Sequence, residues 1–243
     1  MNDASYEGPA KTIVGILGGM GPSATADFMA KLVARTPAAM EFEHLPLAIW
    51  SNPEIPDRTR ALLGLGPSPV PSMVDGVRRL IAMGARSIAI PCNTAHAFLP
   101  EIRQLVDVPF IDMIRATVDA IVCEYVGVRS VGLLATEGTR RAGLYAAECE
   151  RRGLTLVNLD PGEQGAWVSP AIHMVKTGGD LAVARLGIRK AAQRLHQLGA
   201  DIVVAGCTEI PLVSQDATQI VSIVDATDCL ASAVVLQSVG HVC

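Results

Sequence analysis

The feature that most constrains this chain is that it repeats itself. Gly84-Ala85-Arg86-Ser87-Ile88-Ala89-Ile90-Pro91-Cys92 resembles Gly199-Ala200-Asp201-Ile202-Val203-Val204-Ala205-Gly206-Cys207. In both, a leucine (Leu80 or Leu195) stands four residues before the glycine, and the cysteine comes eight after it. Val14-Gly15-Ile16-Leu17 answers to Val131-Gly132-Leu133-Leu134, and Phe110-Ile111-Asp112 to Ile223-Val224-Asp225. Three matches in the same order, at an offset of 113–117 residues, point to two copies of one unit.

Periodicity gives the unit its class. Short apolar runs read as strands at Thr12–Leu17, Leu45–Trp50, Ser87–Pro91, Pro109–Asp112, Ser130–Leu134, Leu154–Leu159, Ile202–Ala205 and Ile220–Val224. Helical patterns fall between them, near 23–35, 69–83, 94–106, 114–126, 138–152, 179–198 and 226–239. Continuous apolar strands interleaved with helices define an α/β chain whose parallel sheets are covered on both faces. The expected division is 1–112 plus 226–243 for the first α/β domain and 113–225 for the second, facing each other across a cleft.

Ligands of open parallel sheets bind at the carboxyl ends of the strands. Cys92 and Cys207 each follow an apolar strand, so each is expected to project into the crevice of its half. A pseudo-twofold relation then places the two thiols on opposite sides of one ligand. A free cysteine is most often a small buried hydrophobe, and an isolated one would be read that way. The repeat argues otherwise here, and polar residues after each thiol are expected to start a helix whose N–H groups lower the thiol pKa. Of the six cysteines, Cys123, Cys149 and Cys229 sit in helical patterns and Cys243 ends the sequence, so packing or incidental roles are expected for them.

Two thiols on opposite faces suit a two-base reaction. One takes a proton from a stereocentre, the other returns one to the opposite face, and charge building on the α-carboxylate needs hydrogen-bond donors. Asn93, Thr94 and Thr208 are the expected donors. Arg58 and Lys176 lie 34 and 31 residues before the two cysteines, in regions read as irregular loops over the crevice. A solvated surface charge is the commoner case for either, and their near-symmetric placement makes them candidates for recognition of a second carboxylate; Arg60, Arg140 and Arg141 compete for that role but lack the symmetry.

Other readings compete. Gly18-Gly19-Met20-Gly21-Pro22-Ser23 follows a strand and opens a helix, with Ser23 as expected N-cap. A dinucleotide site would need an acidic residue after the second strand, and that strand ends in Trp50-Ser51-Asn52. His96, four residues after Cys92, could form a nucleophilic Cys–His pair, although a structural histidine is the commoner case. His173 could touch the same lid as Lys176. Neither histidine has metal-ligand spacing. A net charge of −4 and 4% aromatic residues argue against nucleic acid. No apolar run reaches the length needed to span a bilayer, and polar residues 1–11 lack the core of a secretion signal, so a cytoplasmic enzyme is expected.

The chain resembles the aspartate/glutamate racemase superfamily, the branch that works without pyridoxal phosphate, most closely its aspartate and broad-specificity amino-acid racemase members. Gly15-Ile16-Leu17-Gly18-Gly19-Met20-Gly21-Pro22, Pro53 to Thr59 (PEIPDRT), Pro91 to His96 (PCNTAH) and Gly206 to Leu212 (GCTEIPL) carry the resemblance. It implies two pseudo-symmetric Rossmann-like (flavodoxin-like) domains, no cofactor, no metal and a homodimer. It assigns Cys92 and Cys207 as the acid/base pair, with Cys207 facing the L-isomer, and places Met20 in the pocket. Glutamate-specific members carry an acid in the first loop and a histidine after the second Cys-Thr. Here the loop has no acid and Glu209 stands in the histidine's place, which points to aspartate and leaves Glu209 to tune Cys207 or cap a helix. The expected activity is racemisation of an acidic amino acid, aspartate first. The alternatives are a glutamate or broad-specificity racemase, a cysteine-dependent isomerase, lyase or decarboxylase of a small dicarboxylate, or a non-catalytic binding protein.

Overall fold

The computed structural model describes residues 11–239. Cys243 and the first ten residues lie outside them. The first half runs β1 (Val14–Gly18), α1 (Pro22–Arg35), β2 (Leu47–Ser51), α2 (Arg58–Leu62), α3 (Val70–Ala82), β3 (Ser87–Ala89), α4 (Leu99–Ile102) and β4 (Phe110–Ile111). The second runs α5 (Met113–Glu124), β5 (Ser130–Ala135), α6 (Glu137–Arg141), α7 (Leu144–Arg151), β6 (Thr155–Val157), α8 (Pro161–Glu163), α9 (Ser169–Thr177), α10 (Leu181–Gln197), β7 (Ile202–Gly206) and β8 (Ser222–Asp225), before α11 (Ala226–Val239).

The repeat in the sequence is a repeat in the fold. The two parallel four-stranded sheets have the orders β2-β1-β3-β4 and β6-β5-β7-β8. Even the register recurs: Val14 pairs with Leu47 and Ser87, and its counterpart Val131 with Leu156 and Ile202. The matched residues explain why. Gly84 and Gly199 sit at φ +93° and +95°, the left-handed conformation that closes a helix at little cost only with glycine. The next residue then donates back into the helix, Ala85 to Leu80 and Ala200 to Leu195, each at 3.0 Å. That turn packs on a strand glycine. A Cβ on Gly15 would lie 3.0 Å from Ala85 and 3.2 Å from Leu80; on Gly132, 3.1 Å from Ala200 and 3.2 Å from Leu195. The third match is a pair of N-caps: Asp112 accepts from the N–H groups of Ile114 and Arg115, and Asp225 from those of Thr227 and Asp228.

Both faces of each sheet are covered, as continuous apolar strands require. Val14 and Ile16 of β1 pack under α1 and α11, while Leu17 turns to α3. Val131 and Leu133 of β5 pack under α5 and α7, while Leu134 turns to α9 and α10. Helix α11 follows the second sheet in the chain yet returns to bury Leu230 and Val234 against the first.

Several expected boundaries give way to local chemistry. The helix expected over 94–106 begins as a 3-10 turn at Thr94–Phe98 and ends with α4. That over 138–152 breaks at Gly143, where φ is +66°. Helix α1 is capped by Gly21 with Pro22 in its first turn, so exposed Ser23 is not the N-cap. No α-helix follows Cys207, only turns and a 3-10 segment at Pro211–Val213. Residues 161–177, read as loop, are helical, and Lys176 lies in the last turn of α9.

Candidate active site

The carboxyl ends of β1, β3, β5 and β7 converge on one cleft between the halves. Nine of the residues singled out in the sequence line it: Met20, Arg58, Cys92, Asn93, Thr94, Lys176, Cys207, Thr208 and Glu209. Asp57, Thr59 and Thr136 line it as well and were not foreseen. The repeat held the signal for Thr136, which follows β5 where Gly19 follows β1.

Each side chain has a structural reason for its position. Cys92 and Cys207 are both 5% exposed. His96 is buried behind Cys92, not paired with its thiol. One ring nitrogen accepts from the Met113 N–H (3.0 Å), so the other, 2.9 Å from the Cys92 carbonyl, is the one that carries the proton. Burial holds the imidazole's pKa below its ordinary value, which keeps it neutral. His173 is exposed on α9 and does not line the cleft.

Across the cleft, the Cys207 thiol donates to Glu209 Oε2 at 2.9 Å, and the Thr208 hydroxyl reaches the same oxygen at 3.3 Å. Burial, reinforced by the Glu209 charge and this bond, pushes the Cys207 pKa well up, with Lys176 opposing. The thiol expected to be acidified by a helix start is instead held protonated: no helix starts there, and a buried carboxylate stands beside it.

The cationic wall is asymmetric in freedom. Arg58 is 8% exposed, and its guanidinium donates to the carbonyls of Ile55 (3.0 Å), Pro56 (3.1 Å) and Met20 (3.4 Å). Its Nε is buried without a protein partner. Lys176 is more open. Burial pulls its ammonium pKa down, but the acidic groups that face it, Glu209 among them, outweigh that and leave it raised. Arg60, Arg140 and Arg141 are engaged with Leu65, Leu159 and Glu137. Free space in the inner cleft is about 10 Å³, one water's worth. Outside it lies a chamber of about 310 Å³ that shares Asp57, Arg58, Lys176 and Glu209 with the inner cleft. These four residues line both spaces; Asp57 and Arg58 are tied to backbone, and Glu209 to the Cys207 thiol and the Thr208 hydroxyl.

The halves are clasped beside the thiols. The Thr94 hydroxyl meets those of Thr136 and Thr139, each at 2.9 Å, and the Tyr145 hydroxyl donates to Asn93 Oδ1 at 2.6 Å. Gly138 allows this approach: a Cβ there would stand 2.8 Å from Thr59 Oγ1.

Two parallel-sheet halves that meet at a small cleft lined by two cysteines, a guanidinium and an ammonium define a class of two-domain α/β protein. The profile of the Asp/Glu/Hydantoin racemase family matches residues 17–234, and the chain belongs to that family. It is 25% identical to the broad specificity amino-acid racemase RacX of Bacillus subtilis (strain 168), over 92% of this chain and 96% of that one. It superposes on the aspartate racemase of Picrophilus torridus with a TM-score of 0.81 and 33% identity, covering 94% of each. It is also 29% identical to a glutamate racemase of Deinococcus radiodurans over 70% of this chain and 53% of the other. The protein is therefore an isomerase of the racemase type. Among the described residues no helix is long and apolar enough to cross a membrane.

Proposed function

We propose that this racemase inverts the α-carbon of an acidic amino acid, aspartate first, by a two-base mechanism without a cofactor. The observation that carries the reading is the arrival of Cys92 and Cys207, at repeat-equivalent strand ends, in one cleft with Arg58 and Lys176. One cysteine, as thiolate, takes the α-proton, and the C–H electron pair moves into the carboxylate as an enediolate. The other, as thiol, delivers its proton to the opposite face and becomes the thiolate, ready for the reverse direction. Asn93, Thr94 and Thr208 hold the α-carboxylate as its charge grows, and Arg58 with Lys176 holds the side-chain carboxylate. Met20, 2% exposed, closes the apolar side of the cleft. The same reading divides the chain into 1–112 with 226–243 and 113–225, and takes the enzyme to work in the cytoplasm as a homodimer.

A chiral panel of amino acids in deuterated water tests this. Aspartate is expected to racemise and gain α-deuterium, with glutamate slower. Cys92→Ala and Cys207→Ala are each expected to lower racemisation by about 10²–10⁴-fold, the usual worth of a positioned acid or base. Full activity after loss of either thiol overturns the mechanism. A preference for neutral amino acids moves the assignment to the broad-specificity reading that the likeness to RacX favours. A covalent adduct trapped on one cysteine supports nucleophilic catalysis instead.

A further inference from the structure

We propose that Tyr145 is a positioning residue for this reaction: its hydroxyl, reaching across from the second half, locks the Asn93 carboxamide with the NH2 turned to the substrate carboxylate. The proposal rests on the reading of the cleft as a two-thiol racemase site.

Three observations converge on it. Tyr145 is 1% exposed and Asn93 2%, so their 2.6 Å bond is shielded from water. A carboxamide has an accepting end and a donating end. The phenol occupies the accepting end, and Asn93 Nδ2 is buried with no protein partner. A buried polar group left unpaired calls for an explanation, and this one belongs to the residue after Cys92, in the wall of the cleft. An anionic oxygen of the substrate satisfies it. The third observation is the other side of the tyrosine. A Cβ on Gly206 would lie 3.2 Å from Tyr145 Cε2, so the ring rests on the strand end that carries Cys207. One side chain thus touches the residue after one thiol and the residue before the other. Burial raises the phenol's pKa well above its ordinary value, with Thr117 opposing, so the hydroxyl stays a donor at working pH.

A donor aimed at the α-carboxylate counts for more as the enediolate forms than in the ground state, so its loss falls on kcat. Tyr145→Phe keeps the ring and removes only the hydroxyl. It is expected to lower kcat for aspartate 10- to 100-fold with KM changed less than threefold. In an Asn93→Ala background the same substitution is expected to change kcat less than twofold, because the group that it orients is gone. A purely structural tyrosine would slow both backgrounds by the same factor, and that result, or a Tyr145→Phe enzyme within twofold of wild type, overturns the proposal. The side-chain amide resonances of Asn93 decide it independently of turnover. In the wild-type protein they are expected as one pair protected from water exchange, broadened or unprotected in Tyr145→Phe; an unchanged pair overturns it. If the wild-type protein exchanges no α-proton from any amino acid, the racemase reading fails, and the resonances still settle what holds Asn93.

Discussion

Replacing Glu209 by glutamine tests the electrostatics of the cleft most directly. The substitution preserves shape and removes one charge from a 3% exposed position, with Oε2 2.9 Å from Cys207 Sγ. A carboxylate beside a thiol disfavours the thiolate, so removing it must lower the thiol pKa. Taking the charge centres as about 4 Å apart at an effective dielectric of about 20, the interaction is about 4 kcal/mol. The nearby Lys176 ammonium already offsets part of this, so the Cys207 pKa is expected to fall by less than the bare Coulomb interaction implies. The glutamine N–H can also donate to the thiolate, which acts in the same direction. The assay is the pH dependence of iodoacetamide alkylation at Cys207, read by mass spectrometry, beside the pH profile of kcat/KM. The alkylation midpoint should move toward neutrality. If Glu209 only raises the thiol pKa, the rising limb of kcat/KM moves with it. If Glu209 also receives the Cys207 proton during turnover, the rate falls at every pH although the midpoint still drops. A midpoint that stays or rises refutes the assignment of Glu209 as the group that holds Cys207 protonated.

The remaining predictions concern stability and recognition. Gly138→Ala puts a Cβ 2.8 Å from Thr59 Oγ1 and 2.9 Å from Thr59 Cα; it should cost about 1–3 kcal/mol in a urea titration and weaken turnover by parting Thr94 from Thr136. Lys176→Met keeps the length and removes the charge, so KM for aspartate should rise about tenfold or more, the worth of a charged hydrogen bond, while KM for a neutral amino acid stays; equal effects on both would remove Lys176 from side-chain recognition. Burial pushes the Cys149 thiol up to about 11 and Cys229 to about 12. The folded chain holds those protons more tightly than the unfolded one. The stability they contribute is complete below about pH 8.5 and is lost as pH rises toward the folded values, at up to about 1.4 kcal/mol per pH unit per thiol. Urea midpoints between pH 8 and 10.5 should fall, and Cys149→Ala should flatten the slope; an unchanged slope refutes the linkage.

Pattern made the fold legible, and long-range contact hid the rest. The turn Leu80…Gly84-Ala85 and its copy Leu195…Gly199-Ala200 could be read because a left-handed turn packed on a strand glycine restricts residue type at each position. Strand ends could be read to within a few residues, since apolar run length is a blunt ruler. Helix α9 was missed because Ser169, Pro170, His173 and Lys176 dilute its apolar face, and its helical state depends on packing against α10. Thr59, Thr136 and Tyr145 matter only through partners in the other half, such as Tyr145 to Asn93, and nothing local announces them. The expected direction of the Cys207 pKa failed for the same reason. It assumed a helix start, where the fold supplies turns and a buried carboxylate.

That failure bears on how a repeat becomes a catalyst. Duplication alone gives two equivalent thiols in equivalent protonation states, and a two-base reaction needs one base and one acid. The symmetry must be broken close to the sulfur atoms. At offset 115, which carries Cys92 onto Cys207, the residues that follow are Asn93-Thr94 in one half and Thr208-Glu209 in the other. Thr94 shares its hydroxyl with Thr136 and Thr139, while Glu209 accepts the Cys207 S–H directly. The repeat is therefore faithful where geometry must match and divergent where charge must differ. Environments that push paired titratable groups apart assign acid and base, and under the proposed two-base mechanism the Glu209 carboxylate marks Cys207 as the thiol that starts protonated. Grafting the asymmetry onto the other half is the decisive perturbation. Thr94→Glu with Glu209→Thr should exchange the order in which the two cysteines react with iodoacetamide, and an unchanged order would show that the distinction lies in burial alone.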